Sequence, residues 1–120
     1  LERYDLIRPL VERGRGAYPG DPDFIYLEAR LAAHEGQWPA VRDLLQQHEP
    51  ALRERPEMRG LYGEALLELG RVELARSHLA AAYRLDPDSA PVARAYARAL
   101  RESGDAEEAA RVLSTTASAG

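Results

Sequence analysis

Three histidines, His34, His48 and His78, are the first residues in the sequence whose chemistry could serve a reaction or a metal ion. They do not follow one another at the spacing that places two imidazoles on one helical face. Cysteine is absent, which excludes a thiolate nucleophile and a disulfide framework. The sequence also lacks a glycine-rich phosphate loop and a G-x-S-x-G nucleophile motif. We therefore interpret the histidines as surface residues and expect no metal and no other cofactor.

Carboxylates are numerous, with 20 Asp and Glu residues against 16 basic residues, all of them arginine. A catalytic pair of carboxylates needs burial to separate its two pKa values, and the helical pattern leaves these carboxylates on exposed positions. Asp21-Pro22-Asp23 and Asp86-Pro87-Asp88 resemble fragments of a calcium loop, but an Asp before Pro is also typical of a helix start. We favour helix caps and predict that the chain is not an enzyme.

The composition argues against some classes of binding partner, but it does not identify the cellular compartment. A formal net charge of −4 argues against general binding of nucleic acid or of an anionic membrane surface. No apolar run approaches the roughly 20 residues that span a bilayer, so we expect no direct membrane insertion of this segment. The chain starts at Leu1 within a helical pattern, so we expect an excerpt of a longer protein. The lack of lysine and asparagine suggests a GC-rich bacterial genome; the periplasm and the cytoplasm both remain open, with a slight preference for the periplasm.

Small and apolar residues recur at a period of 34 residues. The equivalent positions are Gly36, Gly70 and Gly104; Ala29, Gly63 and Ala97; Val41, Ala75 and Ala109; and Leu45, Leu79 and Leu113. The small residues allow two helices to approach closely, and the leucines fill the space between them. A period in the range of about 20–50 residues indicates a stacked solenoid in which each unit completes its core on its neighbour.

The pattern resembles the tetratricopeptide repeat family. The central repeat carries the family's packing residues at Gly63, Gly70, Ala75, Leu79, Ala82 and Pro87, and departs from it with Val72 in place of an aromatic residue. The resemblance implies an all-α fold, a right-handed α-solenoid of antiparallel helix pairs with about seven helices.

Four segments follow from the period. Residues 1–20 form the second helix of a truncated repeat, 22–55 repeat 1, 56–89 repeat 2, and 90–120 repeat 3 with a frayed C-terminal tail. We expect the first helix to end near Arg13 because glycines follow, a break near His48 because of Pro50, and a last helix ending near Leu113. Both ends lack a neighbour, so we expect exposed apolar residues there, at Tyr4, Ile7 and Val11 and at Val112 and Leu113.

The resemblance implies that the first helix of each pair lines a concave groove. The predicted groove residues are Tyr26, Arg30, His34, Glu64, Glu68, Arg94, Arg98 and Arg101. The three arginines of the third repeat could hold an acidic peptide or a carboxylate through bidentate contacts. Alternatively they pair with Glu64 and Glu68 on the neighbouring helix, which is the interpretation that we favour. Without asparagine and lysine, the family's recognition of chaperone tails is not expected.

The predicted function is a protein–protein interaction scaffold within a larger bacterial protein. Its partner is another protein, an enzyme docked on the scaffold being one option, and its ends contact adjacent repeats of the parent chain. Proteins that resemble it occur in envelope and exopolysaccharide export assemblies. The alternative is a structural spacer or a self-association module that stacks end to end with further repeats.

Overall fold

The computed structural model describes the backbone of residues 4–119, and side chains for residues 7–14 and 16–115. Residues 4–119 form eight α-helices and no strand. The helices are α1 (Tyr4–Ala17), α2 (Pro22–His34), α3 (Trp38–Gln46), α4 (Glu49–Glu54), α5 (Pro56–Glu68), α6 (Val72–Leu85), α7 (Ala90–Glu102) and α8 (Ala106–Ala119). The predicted all-α class is confirmed, with one helix more than the expected seven.

Antiparallel helix pairs stack one after another in chain order, and the molecule measures 45 × 29 × 26 Å. Helices α2 and α3, α5 and α6, and α7 and α8 pack as pairs, and α1 packs on α2. Between pairs, α3 contacts α5, and α6 contacts α7. Helix α5 also contacts both α2 and α7, so the first helices of the three pairs lie side by side. This arrangement forms one continuous face from α2, α5 and α7.

A glycine in the left-handed region ends the first helix of each pair. These glycines are Gly36, Gly70 and Gly104, with φ values of +73°, +81° and +91°. After Gly70, the Arg71 amide donates a 2.8 Å hydrogen bond to the Leu66 carbonyl. This bond closes the helix end in the way that left-handed glycine permits at low cost. The 34-residue glycine period therefore sets where each chain reversal occurs.

Side-chain oxygens cap the starts of several helices. Asp21 Oδ1 accepts a 2.8 Å bond from the Asp23 amide at the start of α2. Ser89 Oγ accepts one of 3.4 Å from the Val92 amide at the start of α7. The predicted capping role of Asp21 is confirmed, and at α7 the N-cap is Ser89, the residue that follows the Asp86-Pro87-Asp88 stretch.

Close packing within the central pair depends on Gly63. A Cβ atom on Gly63 would lie 2.5 Å from Leu79 Cγ, and Leu79 is fully buried. The last pair departs from this pattern, because Val112 is buried there while Leu113 is only partly buried. The small residue and the leucine therefore pack together in the central pair as the period predicted, and the apolar contact shifts by one residue in the last.

Two helices run further than the sequence predicted. Helix α1 continues through Gly14 to Ala17, and Gly14 serves packing because a Cβ there would lie 2.0 Å from Phe24 Cδ1. The expected end near Arg13 is therefore wrong. Helix α8 continues past Leu113 to Ala119, since neither glycine nor proline interrupts residues 106–119.

The predicted break near His48 is present. Helix α3 ends at Gln46, and α4 begins at Glu49 with Pro50 in its first turn, where the missing N–H costs no helical hydrogen bond. Leu52 of α4 is buried, and α4 packs on α5. The short α4 is the helix that raises the number from the expected seven to eight.

The expectation of exposed apolar ends is wrong at two residues. Val11 is 1% exposed, since α1 packs on α2, and Val112 is 3% exposed in a cluster with Ala97 and Leu100 of α7. Ile7 and Leu113 are partly buried, and the side chain of Tyr4 lies outside the described residues. Among the side chains that the structure describes, the exposed large apolar residues are Leu10, Tyr18, Leu74 and Leu85.

Candidate partner-binding groove

Three adjacent cavities run along the face formed by α2, α5 and α7, and Glu64 lines all three. The first, of about 390 Å³, is lined by Tyr26, Arg30, Glu57, Gly60, Leu61, Glu64, Ser89, Pro91 and Val92. The second, of about 210 Å³, is lined by Glu64, Leu67, Pro91, Arg94, Ala95 and Arg98. The third, of about 310 Å³, is lined by Arg30, Ala33, His34, Trp38, Leu61 and Glu64. These three cavities together are called the groove below.

The floor between α5 and α7 depends on a second close approach at a glycine. A Cβ on Gly60 would lie 3.0 Å from Val92 Cγ2, and both residues are buried. The contact holds α7 against α5 and leaves apolar surface from Leu61 and Val92 in the first cavity. The groove therefore has an apolar floor below its charged side chains.

Arg98 joins α7 to α5. Its Nη1 donates a 2.6 Å hydrogen bond to Glu68 Oε2, and its Nε donates one of 2.7 Å to Glu102 Oε2. The bonds to Glu68 and Glu102 raise the pKa of the Arg98 guanidinium above its ordinary value. For Arg98 the favoured interpretation, pairing with the neighbouring helix, agrees with the structure.

The other two arginines of α7 do not form such ion pairs with the described residues. Arg94 and Arg101 are exposed, and neither forms an ion pair with another residue in the described part of the chain. Arg94 lines the second cavity. Arg101 lies three residues after Arg98 and so shares its helical face, beyond the cavities.

Glu64 occupies the centre of the groove without a direct partner. It forms neither a hydrogen bond nor an ion pair with the residues that the structure describes. Burial raises the pKa of its carboxyl group; the charges of Arg98 and Arg94 oppose this shift and that of Glu68 adds to it. The expected pairing of Glu64 with the arginines is therefore wrong as a direct contact, because Glu68, one turn later, takes Arg98.

On the opposite wall, α2 contributes an aromatic residue and two basic ones. Arg30 Cζ lies 5.7 Å from the centre of the Tyr26 ring, a cation–π distance. Both residues line the first cavity, and His34 lines the third. Six of the eight predicted groove residues thus line the cavities, while Glu68 and Arg101 border them. Partner binding by these eight residues stays a prediction.

Sequence reasoning missed the apolar floor, Leu61 and Val92. The family's groove register selects positions two, five, nine, twelve and thirteen of each repeat, and these two residues fall at the sixth and the third. The available signal was Gly60, which precedes Leu61 in α5 and contacts Val92 of the neighbouring α7. Whether such a residue is covered or lines a cavity depends on how closely the next helix approaches.

Outside the groove, a polar cluster links α3, α5 and α6. Arg59 Nε donates a 3.2 Å hydrogen bond to His78 Nδ1, and the His78 and Tyr62 rings pack edge to face with their centroids 4.9 Å apart. Gln46 donates a 3.0 Å bond to the Tyr62 hydroxyl. Burial and then the charge of Arg59 lower the pKa of His78. The cluster packs helices together and does not resemble a metal site, and no group of metal-binding side chains occurs among the described residues.

The C-terminal half of the chain matches a known family of repeat proteins. Residues 66–120 match the family model described as "Tetratricopeptide repeat". This part of the chain belongs to the tetratricopeptide repeat family. The resemblance read from the sequence is confirmed, and the chain has the architecture of the family's protein–protein interaction scaffolds. None of the described helices is both long enough and apolar enough to span a membrane.

Solved structures extend the fold to nearly the whole chain. "MamA MSR-1 C2" is 23% identical with a TM-score of 0.71, and the match covers 96% of this chain and 66% of that one. "MamA AMB-1 C2221" is 24% identical with a TM-score of 0.70, and covers 95% and 67%. At such identities the likeness shows the fold, and the chain spans about two thirds of those proteins. No curated protein matches the sequence.

Proposed function

We propose that the chain is the interaction module of a larger bacterial protein, and that its groove holds a segment of a partner protein. The observation that carries the proposal is the row of three cavities along α2, α5 and α7, which share Glu64. An extended peptide fits such a row, since its side chains can enter successive cavities. The partner can be an enzyme that docks on the scaffold.

The lining supports a protein segment over a small molecule. The first cavity combines apolar surface from Tyr26, Leu61 and Val92 with charged side chains at its rim, as protein interfaces do. The helices below it are held by fully buried residues such as Met58, Leu66 and Leu79. A groove built on packed helices needs little ordering when a partner binds, which lowers the entropy cost of association.

Charge reversal in the groove tests the proposal. Arg94→Glu with Arg101→Glu reverses two exposed charges and leaves the bonded residues Arg98, Glu68 and Glu102 unchanged. The matched control is Arg71→Glu, just before α6, with Arg84→Glu in its last turn; the exposed side chains of these two residues do not line the groove. The full-length parent is used to capture partners from its source, and circular dichroism checks folding. Capture should survive the control and fail with the groove variant; equal capture by both would reject a groove partner.

We propose that the parent protein acts in an envelope or exopolysaccharide export assembly, with the periplasm as the preferred compartment. The arginine-only basic composition supports a bacterial source, and the resemblance to repeat proteins of such assemblies supports the setting. Fractionation of cells that express the tagged parent tests the setting. Recovery with the soluble cytoplasmic proteins alone would count against it.

A structural spacer or self-association module is the second candidate. The exposed Leu10, Tyr18, Leu74 and Leu85 favour it, because exposed apolar residues often mark association surfaces. The burial of Val11 and Val112 weakens the end-to-end form of this candidate. Sedimentation velocity over a range of concentrations separates the candidates, since a self-association module should sediment faster as its concentration rises.

A further inference from the structure

The formal charge of the side chains that line the groove changes sign between the first cavity and the second. The first cavity has two carboxylates, Glu57 and Glu64, and one basic residue, Arg30, which gives a formal charge of −1. The second has Glu64 with Arg94 and Arg98. Since Arg98 is bonded to Glu68 and Glu102, Arg94 is the arginine there that remains available for an anion. A complementary partner therefore carries a cation for the first cavity and an anion for the second.

Glu64 is the groove carboxylate that a bound cation would stabilise most. Its carboxylate is half-buried and has no hydrogen-bond or ion-pair partner within the described residues. Withdrawal of a carboxylate from water is unfavourable unless a hydrogen bond or an opposite charge compensates. A guanidinium or ammonium group from a partner supplies both.

The geometry of α5 leaves room for such a group. Glu57 and Glu64 lie seven residues apart on one helix, which corresponds to about 10 Å along its axis. A cation placed between them is within about 5 Å of each turn, and the long carboxylate side chains can reach toward it. Arg30 stacks over Tyr26 on the opposite wall, which belongs to α2.

We infer that the groove recognises an extended segment of a partner protein with an Arg or Lys between Glu57 and Glu64 and an Asp or Glu on Arg94. This inference rests on the proposed function and names the chemistry of its partner. Packed helices such as α5 and α7 lie about 8–10 Å apart, and an extended chain advances about 3.3 Å per residue. The basic and the acidic residue should therefore be separated by two to four positions.

Selection from a random peptide library tests the inference without a known partner. Dodecapeptides displayed on phage are selected on the immobilised 120-residue chain, and the enriched sequences are read. The expected result is a basic residue followed or preceded by an acidic one at the predicted separation. Enriched peptides without a basic residue, or no enrichment at all, would overturn the inference.

The strongest enriched peptide then becomes the probe for fluorescence anisotropy. Glu64→Gln should weaken its binding by at least about tenfold, because the substitution leaves a bound cation without its desolvated partner. Glu57→Gln should weaken it by roughly threefold, since Glu57 is exposed. The control is Glu12→Gln, an exposed glutamate in the middle of α1. Equal affinities for the Glu64→Gln and Glu12→Gln variants would overturn the assignment of the cation.

A charge swap provides the second measurement. The peptide with its basic residue changed to Glu should lose affinity for the natural chain and regain it with Glu64→Arg. The failure of this inference is distinguishable from that of the proposed function. Purely acidic peptides that depend on Arg94 would refute the cation between Glu57 and Glu64 and leave a groove that binds protein segments.

Discussion

Arg98 Nη1 lies 2.6 Å from Glu68 Oε2, and this hydrogen bond connects the first helices of two successive repeats. The side chains are 37% and 33% exposed, so solvent screens the pair partly. A partly exposed pair of this kind contributes up to about 1 kcal/mol. Its main consequence is therefore positional: it holds the Arg98 guanidinium against Glu68, and of the two arginines that line the second cavity it leaves Arg94 as the available cation.

Arg98→Ala should lower the free energy of unfolding by about 0.5–1 kcal/mol, since it removes bonds to both Glu68 and Glu102. Urea denaturation at low and high salt measures the effect, which should shrink at high salt. The control is Arg53→Ala, which removes a more exposed pair with Glu49 within the short α4. An equal or larger loss in the control would show that the connection between repeats adds nothing.

Gly63 decides how closely α5 approaches α6. Gly63→Ala gains helix propensity worth about 1 kcal/mol, but its Cβ would lie 2.5 Å from Leu79 Cγ in a filled core. Overpacking typically costs about 1–3 kcal/mol, so the free energy of unfolding should fall by about 1 kcal/mol. The matched control is Gly16→Ala in α1, where a Cβ meets nothing within 4 Å. It should stabilise the chain, and opposite signs for the two variants in thermal denaturation are the expected result.

Of the three arginines at the 34-residue spacing, two connect a second helix to the end of the next first helix. Arg8 pairs with Glu35. Two periods later, Arg76 Nη1 donates a 2.9 Å bond to Ser103 Oγ, and Arg76 Nη2 lies 3.5 Å from Asp105 Oδ2. Between them, Arg42 bonds its neighbour Asp43 instead, because the equivalent position across the turn is Leu69.

Leu69→Glu should complete this series by giving Arg42 a partner. Leu69→Gln serves as the uncharged control, since both variants lose the same apolar side chain. A double-mutant cycle with Arg42→Ala isolates the pair and should give a coupling free energy of about 0.5 kcal/mol. Coupling that is zero at low salt would mean that the arginine spacing has no role in joining the repeats.

The sequence predicts the repeat better than it predicts the groove. Residues such as Gly70 and Leu79 are dictated by backbone conformation and by packing, which recur at each period and can be read from one chain. Gly14 was misread as a helix stop because only the position of the Phe24 ring reveals its packing role. Side-chain pairing is harder still to predict from the sequence. Glu64 and Glu68 lie about one helical turn apart on α5, and both could be expected to pair with the arginines of α7. Which of them bonds Arg98 depends on rotamers that the sequence does not specify.

The negative charge of the Glu64 carboxylate should lower the free energy of unfolding at neutral pH. Because burial raises the pKa of its carboxyl in the folded state, the folded chain binds the proton more tightly than the unfolded chain. The penalty is therefore fully present above the raised pKa, declines as the pH falls through it, and is absent below the ordinary value for glutamate.

Glu64→Gln should accordingly raise the melting temperature at pH 7, and this gain should disappear near pH 4. Glu12→Gln, the exposed control, should show neither effect. Differential scanning calorimetry at the two pH values gives the comparison. A gain in stability that accompanies weaker peptide binding is the signature of a residue retained for recognition at the expense of the fold. If Glu64→Gln instead destabilised the chain at pH 7, the carboxylate would be a structural element, and the cation that we assign to it would lose its physical basis.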